Sequence, residues 1–206
     1  MENDDRITTF LFDLGGVLLT NAWDHVEREQ ALRHFQLDVD EFNPRHEAIV
    51  ERFERGDVSL DEYLDRTVFY SPRNFTREDF KQVMYSLSRP HEDSLRVARY
   101  LAASGRYLMA TINNESAELN RYRIDTFHLR DVFKLFVSSC YVRLRKPDSA
   151  IYQLAVDLTQ KKPEECCFID DRTENLEPAA SLGMKTIQMQ SAAQLRQQLE
   201  DLGVKI

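Results

Sequence analysis

The sequence predicts an α/β protein, a doubly wound, Rossmann-like parallel sheet that carries an inserted all-helical cap. Residues 91–206 alternate strands with helices, a pattern typical of parallel sheets with right-handed crossovers. Residues 21–87 follow a strand but contain almost no strand signal of their own. We therefore assign residues 1–19 and 88–206 to an α/β core and residues 20–87 to the cap.

The predicted sheet begins with a short apolar strand at residues 7–12. This strand runs into Asp13, and the chain breaks at once on Gly15 and Gly16. Open α/β sheets bind their ligands beyond the carboxyl ends of the strands. A carboxylate in this position, beside a flexible backbone, is therefore a candidate for chemistry.

The cap is predicted to be helical from apolar spacing and capping residues. Apolar side chains recur near helical spacing between Trp23 and Phe35. Ser59 opens a capping-box pattern, which is typical of a helix start. Pro72 interrupts the chain, and a further helix is predicted from Thr76.

The rest of the core is predicted to add four strands to the first one, each flanked by helices. Gly105 and Gly183 each precede a predicted strand. The predicted strands are 107–112, 135–139, 166–169 and 184–188. The predicted helices are 94–103, 116–126, 149–158, 173–182 and 192–202.

Composition indicates an ordinary globular protein and excludes several functional classes. The chain has 206 residues, 42% hydrophobic and 30% charged, and a net charge of −8. The absence of a basic block argues against nucleic-acid binding, and no apolar run approaches the roughly 20 residues of a membrane span. The acidic start is unlike a secretory signal. We expect a cytoplasmic protein whose three cysteines are small apolar residues: Cys140, Cys166 and Cys167.

Polar side chains follow four of the predicted strands. Because the carboxyl ends of parallel strands meet at one edge of the sheet, three carboxylates, a lysine and several amides should converge there. The first strand supplies Asp13. The others supply Thr111, Asn113, Asn114, Lys146, Asp170, Asp171 and Asn175.

These residues carry a resemblance to the haloacid dehalogenase (HAD) superfamily that covers essentially the whole chain. Its four motifs match the segments around Asp13, Asn113, Lys146 and Asp170–Asp171. The last two matches are highly specific. The fourth also resembles the phosphatase domain at the amino end of soluble epoxide hydrolases and the sugar-1-phosphate phosphatases. A helical insert straight after motif one is similar to the family's helical cap.

The resemblance implies a Mg²⁺-dependent phosphatase acting on a small phosphorylated metabolite. It makes Asp13 the nucleophile that forms an aspartyl-phosphate. It makes the Asp13 carboxylate, the Gly15 carbonyl and Asp171 the metal ligands. It also implies that Lys146 pairs with Asp13 and the transferring phosphoryl group. Asp170 and Asn175 are expected to lie behind these groups and orient them.

Gly15 departs from the family pattern. Phosphatases of this family carry a second aspartate there, which protonates the leaving group and later activates water. Losing a general acid–base costs roughly 10²–10⁴ in rate. The protein could be inactive, another group such as Glu115 or water could serve, or the substrate could have a leaving group that needs little help. We favour the third outcome, with anomeric or acyl phosphates as examples.

Motif two is a second departure. The family usually has Ser or Thr followed by Asn. Asn113 falls on the Asn position, which puts Ile112 where the hydroxyl should be, and strand alternation would turn Thr111 to the other face. We expect Asn113 to bind phosphate, with Asn114 beside it and Thr111 as the alternative.

Each motif taken singly also has a structural explanation, in turn chemistry, helix capping or the helix dipole. Their order at four strand ends favours the catalytic interpretation. A degenerate relative that binds a phosphometabolite or a protein partner is the alternative. A halide-releasing hydrolase is disfavoured, because motif four keeps its full acidic set.

The sequence leaves the cap's pocket residues and the oligomeric state undetermined. Trp23, Phe53, Arg52 and Arg55 are plausible pocket residues, although each is as compatible with core or surface. Two charged pairs are expected to be solvated surface charge: Arg121 with Arg123, and Lys161 with Lys162.

Overall fold

The computed structural model describes residues 6–21 and 23–205, and it confirms the predicted fold class. One parallel sheet contains five strands in the order β3-β2-β1-β4-β5. The strands are β1 (Thr9–Phe12), β2 (Leu108–Asn113), β3 (Leu135–Ser138), β4 (Cys166–Asp170) and β5 (Lys185–Gln188).

Five α-helices lie between β1 and the helix that leads into β2, and the others cover the sheet. The first five are α1 (His25–His34), α2 (Val39–Glu47), α3 (Val50–Glu54), α4 (Leu60–Thr67) and α5 (Arg77–Ser86). The rest are α6 (Glu92–Ala103), α7 (Ala117–Thr126), α8 (Ser139–Val142), α9 (Ser149–Thr159), α10 (Thr173–Ser181) and α11 (Ala192–Asp201). Short 3₁₀ helices span Leu129–Asp131 and Pro163–Glu165.

The central strands are buried because helices cover both faces of the sheet. Every residue of β1 and β4 is buried, as expected for inner strands of a parallel sheet. At the carboxyl end of β1, Phe12 pairs with Thr111 of β2 and with Ile169 of β4. The residue after β1, Asp13, therefore lies level with the last residue of β4 and one residue before the end of β2.

Local capping chemistry sets the helix starts that the sequence predicts in the cap. The Ser59 hydroxyl accepts a hydrogen bond from the Glu62 amide at the start of α4. Thr76 and Asp79 form a reciprocal capping box at the start of α5. These side chains satisfy backbone donors that no helical carbonyl can reach.

The boundaries differ from the prediction in several places. The strand predicted at 135–139 ends at Ser138, and Ser139 begins the short helix α8, which the sequence analysis did not predict. Its sequence, Ser-Cys-Tyr-Val, reads equally well as a continued strand, because four residues are too few to reveal a helical period. The helix predicted from residue 94 begins two residues earlier, at Glu92.

The five inserted helices pack around their own apolar cluster, which includes Trp23, Tyr63 and Phe80. Leu119 of α7 is a buried member of the same cluster, and Tyr122 packs against it. The inserted helices are therefore joined to the sheet layer by hydrophobic contact as well as by the chain.

The two connections of the inserted helices run side by side. Leu19 forms an antiparallel bridge with Pro90. The Thr20 amide donates to the Arg89 carbonyl at 2.9 Å, and the His91 amide donates to the Leu18 carbonyl at 2.9 Å. The chain therefore enters and leaves the insert at one hydrogen-bonded point beside β1. Among the described residues, no helix is long and apolar enough to cross a membrane.

Candidate functional site

Three carboxylates meet where β1 and β4 end. Asp13 follows β1 directly, Asp170 is the last residue of β4, and Asp171 follows it. Each of the three offers an oxygen that lies within 4.8 Å of the others. The amide of Asp13 donates to the Ile169 carbonyl at 2.9 Å, so the hydrogen bonds of the sheet fix the main chain from which this carboxylate extends.

Lys146 neutralises two of these carboxylates. Its Nζ lies 3.0 Å from Asp13 Oδ2 and 2.5 Å from Asp170 Oδ2. Its side chain is 2% exposed, so these contacts are formed almost without competing water. Burial alone would lower the pKa of Lys146, but the two carboxylates outweigh burial and raise that pKa, which keeps the amine charged.

Asp170 lies behind Asp13, and both of its carboxylate oxygens accept hydrogen bonds. Asn175 Nδ2 donates to both Asp170 oxygens, at 3.0 and 3.1 Å. The Arg172 amide donates to Asp170 Oδ1 at 2.9 Å. The carboxylate is fully buried, and it contacts the Lys146 ammonium group at 2.5 Å.

Asp171 lacks such partners, and its surroundings fit a cation. Its Oδ1 is buried without a hydrogen-bond partner among the described residues. Burial and the neighbouring charge of Asp170 raise the pKa of Asp171. A Cβ on Gly16 would lie 2.2 Å from Asp171 Oδ2, so the carboxylate packs directly against the glycine backbone of motif one. Hard oxygens from Asp13 and Asp171, beside the Gly15 backbone, are a donor set suited to Mg²⁺.

Burial makes the ionised form of Asp13 costly. Burial raises its pKa to about 6, with Lys146 acting in the opposite direction and Asp170 adding to the rise. One of its oxygens accepts the Leu14 amide at 2.7 Å, and the other faces Lys146. A bound cation would stabilise the ionised form, which is the nucleophilic one.

The motif-two residues have distinct positions. Asn113 lines the cleft, yet its side chain is hydrogen-bonded to Asn120 at 3.0 Å and to Ser138 at 2.9 Å. Thr111 is fully buried inside β2, and it is absent from the described cleft lining. Asn114 lines the cleft and holds the main chain of Lys146, since its amide exchanges hydrogen bonds of 2.9 and 2.8 Å with the Lys146 carbonyl and amide.

A cleft of about 320 Å³ lies over these groups, between the sheet edge and the inserted helices. Trp23 and Phe53 line it, as the sequence suggested. Arg52 and Arg55 are not among its described lining residues. Arg52 is exposed, and Arg55 forms an ion pair with Glu51 at 3.0 Å. The cleft is also lined by residues to which the sequence assigned no role: Asn21, Asp24, Arg28, His46, Glu54, Arg145 and Arg172.

Two ion pairs join the walls of the cleft. Arg145 Nη2 lies 2.6 Å from Glu54 Oε2, and Arg172 contacts Asp24. Both arginines flank motif residues in the sequence, Arg145 before Lys146 and Arg172 after Asp171. That position was the available signal, but a sequence does not reveal which carboxylate each arginine meets.

Arg123 is buried, so the prediction that it is solvated surface charge like Arg121 is wrong. Arg121 is exposed, but Arg123 is 2% exposed and donates to Glu115 Oε2 at 2.7 Å and to the Thr20 carbonyl at 2.7 Å. Both members of the Arg123–Glu115 pair line the cleft. Because residues two positions apart lie on nearly opposite sides of a helix, Arg123 faces away from the exposed side of Arg121 and meets the buried Glu115 carboxylate and the Thr20 carbonyl.

Comparison with known protein families identifies the family of this chain. The model for haloacid dehalogenase-like hydrolases matches residues 7–183. Epoxide hydrolase 2 of Rattus norvegicus, a bifunctional protein, is 30% identical over 212 residues, covering 92% of this chain and 37% of that protein. The chain thus spans less than two-fifths of that relative's length.

One further relative and one solved structure are also similar to this chain. Flavin mononucleotide hydrolase 1 of Arabidopsis thaliana is 28% identical over 170 residues, covering 79% of this chain and 65% of that protein. A HAD family enzyme of Bacteroides thetaiotaomicron, solved with magnesium and inorganic phosphate, superposes with a TM-score of 0.76 at 21% identity, covering 89% of this chain and 94% of that one. By the family model and by its fold, the chain belongs to the haloacid dehalogenase-like hydrolases.

Proposed function

We propose that this hydrolase is a Mg²⁺-dependent phosphatase of small phosphate esters that works through an aspartyl-phosphate on Asp13. The observation that carries the proposal is the cluster itself, in which Asp13, Asp170 and Asp171 lie within 4.8 Å of one another and Lys146 touches the first two. A family member solved with magnesium and inorganic phosphate, and a relative named for hydrolysis of a phosphate ester, support it.

The nucleophilic step uses groups whose positions are fixed. A carboxylate oxygen of Asp13 attacks phosphorus, so a bond from Asp13 to phosphorus forms while the bond from phosphorus to the leaving oxygen breaks. Lys146, 3.0 Å from Asp13, is placed to balance the negative charge of the carboxylate and of the phosphoryl oxygens. Water then attacks phosphorus and breaks its bond to Asp13, which releases inorganic phosphate and regenerates the carboxylate.

Asp13, Asp171 and the Gly15 carbonyl are the groups that would hold Mg²⁺, since two of them converge and Asp171 lacks another partner among the described residues. When bound, the metal neutralises charge on the carboxylates and the phosphoryl group. Glycine has a carbonyl like any other residue, so the substitution at position 15 leaves this ligand in place.

Gly15 removes the side chain that would protonate the leaving oxygen, and the proposal therefore includes a preference for activated leaving groups. Anomeric and acyl phosphates release oxygens that need little protonation in the transition state. Glu115 lines the cleft, and burial raises its pKa to about 7, but its Oε2 is held by Arg123 at 2.7 Å. That pairing makes Glu115 a poor proton donor.

The direct test is hydrolysis of p-nitrophenyl phosphate with Mg²⁺, with EDTA, and by the Asp13→Asn variant. We expect metal-dependent turnover that falls by several orders of magnitude in the variant, because the nucleophile is gone. Asp201→Asn, at an exposed helix end, is the matched control. Turnover that persists in EDTA or in Asp13→Asn would refute the mechanism.

A second candidate function is binding of a phosphometabolite without catalysis. Gly15 and the buried, non-lining position of Thr111 favour it, because both remove groups that active relatives use. Absence of turnover on aryl, acyl and sugar-1-phosphates, with retained binding of inorganic phosphate, would select this function over the first.

A further inference from the structure

Among the residues that the structure describes, the basic side chains that line the cleft are paired with carboxylates, with one exception. Five basic side chains other than histidine line it, and four of them contact carboxylates. The fifth is Arg28 of α1. Within residues 6–21 and 23–205, no carboxylate lies within ion-pair distance of its guanidinium group, which is anchored by a hydrogen bond of 3.1 Å from Nη1 to the Trp23 carbonyl. A positive charge in a cleft, without a protein anion to neutralise it, is suited to an anion from the ligand.

His46 lies beside Arg28, and its hydrogen bonds define which ring nitrogen carries the proton. The Trp23 indole donates to the Tyr63 hydroxyl at 2.8 Å, and an indole N–H can only donate. The Tyr63 hydroxyl lies 2.7 Å from His46 Nδ1, and a hydroxyl that accepts from the indole can donate its own proton to that ring nitrogen. Nδ1 therefore accepts, and the proton of the neutral ring resides on Nε2.

The neutral ring is the stable form. Burial lowers the pKa of His46 to about 4, and the charge of Arg28 acts in the same direction, with Asp24 opposing it. His46 is mostly buried, and it lines the same cleft as Arg28. The inserted helices thus supply a neutral N–H donor and a guanidinium group together.

We infer that Arg28 and His46 form a recognition site for a second oxyanion, a carboxylate or a phosphate, carried by the leaving group of the substrate. The inference rests on the proposed phosphatase function, because it places the first phosphate at Asp13 and the second anion on the cap side. Trp23 and Phe53 provide apolar walls for the body of the leaving group. A cleft of about 320 Å³ limits that body to a small molecule.

A matched pair of aryl phosphates tests the inference. Phenyl phosphate and 4-carboxyphenyl phosphate both release a phenol, and their leaving groups differ by one carboxylate. The third probe, 1,4-phenylene bisphosphate, carries a second phosphate instead. We expect kcat/KM for at least one of the two probes that carry a second anion to exceed that for phenyl phosphate by about ten- to hundredfold, because a charge-assisted hydrogen bond contributes that much. The better of the two identifies the second anion. Equal values for all three probes would overturn the inference.

Arg28→Gln should abolish the preference, while Arg33→Gln, an exposed residue of the same helix paired with Glu29 at 2.6 Å, should keep it. A preference that survives Arg28→Gln would contradict the assignment. His46→Phe should weaken the preference and His46→Gln, which retains an N–H donor, should restore part of it. The ¹⁵N resonances of the His46 ring give an independent readout, because they report which nitrogen carries the proton. We expect the Nε2–H tautomer in wild type and a mixture of the two tautomers in Tyr63→Phe.

Calorimetry separates a failure of this site from a failure of the proposed function. Asp13→Asn lacks the nucleophile, so binding of the same three probes to it does not depend on catalysis. Tighter binding of a second-anion probe without turnover by wild type would reject the phosphatase proposal and keep the site. Turnover by wild type with no binding or kinetic preference would reject the site and keep the phosphatase.

Discussion

Gly16 illustrates how one missing side chain makes room for a charged group. Its φ is +71°, and a Cβ would lie 2.2 Å from Asp171 Oδ2. We expect Gly16→Ala to displace the Asp171 carboxylate, to destabilise the fold by more than the roughly 1–2 kcal/mol of left-handed strain alone, and to abolish metal-dependent turnover. Urea unfolding and hydrolysis of p-nitrophenyl phosphate measure the two effects.

Gly105→Ala is the matched control for Gly16→Ala. Gly105 also has a positive φ, of +64°, but a Cβ there would meet nothing within 4 Å. We expect Gly105→Ala to lose stability through backbone strain and to keep its turnover unchanged. Equal losses of stability and activity in the two variants would show that contact with Asp171 is unimportant.

His46 should make stability depend on pH. Its pKa is about 4 in the fold against 6.5 for the free side chain, so the unfolded chain binds more protons in that window. Stability from this group is therefore full above pH 6.5 and is lost as pH falls toward 4, by about 2 kcal/mol between pH 7 and pH 5. Urea titrations of wild type and His46→Gln at both pH values isolate this contribution, and a difference that His46→Gln leaves intact would contradict it.

The residues of the sheet edge were predictable because the motif and the strand end coincide. Asp13, Lys146, Asp170 and Asp171 all lie at one edge. Arg28 and His46 were not predictable, since their role depends on which neighbours pair with which charges. A sequence gives spacing along the chain, and pairing across the cleft depends on how the inserted helices pack.

At the scale of elements, a buried ion pair connects α7 with the residues before it. Arg123 joins Glu115 to the Thr20 carbonyl and is 2% exposed. We expect Arg123→Met to cost roughly 3–5 kcal/mol, because it leaves a buried carboxylate unpaired. Denaturant unfolding measures the loss, and Arg121→Met on the exposed face of the same helix should have little effect.

Adding Glu115→Gln to Arg123→Met tests the cause of that loss. If the unpaired charge is responsible, the double variant should be more stable than Arg123→Met alone. A further loss in the double variant would instead assign the cost to packing.

The sequence predicts an element accurately where residues close in the chain determine its start. Ser59 and Thr76 begin helices as predicted, because capping depends on residues three positions apart. Helix α8 was missed, since its four residues carry no period and its start depends on contact with the insert. The Ser139 hydroxyl there donates to the Glu54 carbonyl at 2.6 Å, a contact across 85 positions.

At the scale of the whole molecule, the inserted helices and the sheet layer share apolar contacts through Leu119. We therefore expect a single cooperative unfolding transition. Trp23, the one tryptophan of the sequence, reports the insert by fluorescence, and far-ultraviolet circular dichroism reports the whole chain. Their urea transitions should coincide.

Leu119→Ala sharpens this test. It should lower the midpoints of both transitions together, with a loss of about 2–5 kcal/mol for a buried leucine. A fluorescence transition that separates from the dichroism transition, in wild type or in Leu119→Ala, would show that the insert unfolds on its own.

The bridge between Leu19 and Pro90 bears on how such proteins diversify. Because the insert begins and ends at paired backbone positions, the distance between its two ends is fixed by hydrogen bonds rather than by the insert's own length. Helices could be gained, lost or exchanged within the insert without moving Asp13, which lies only a few residues before the bridge. The chemistry at the sheet edge and the recognition surface above it are therefore free to change at different rates.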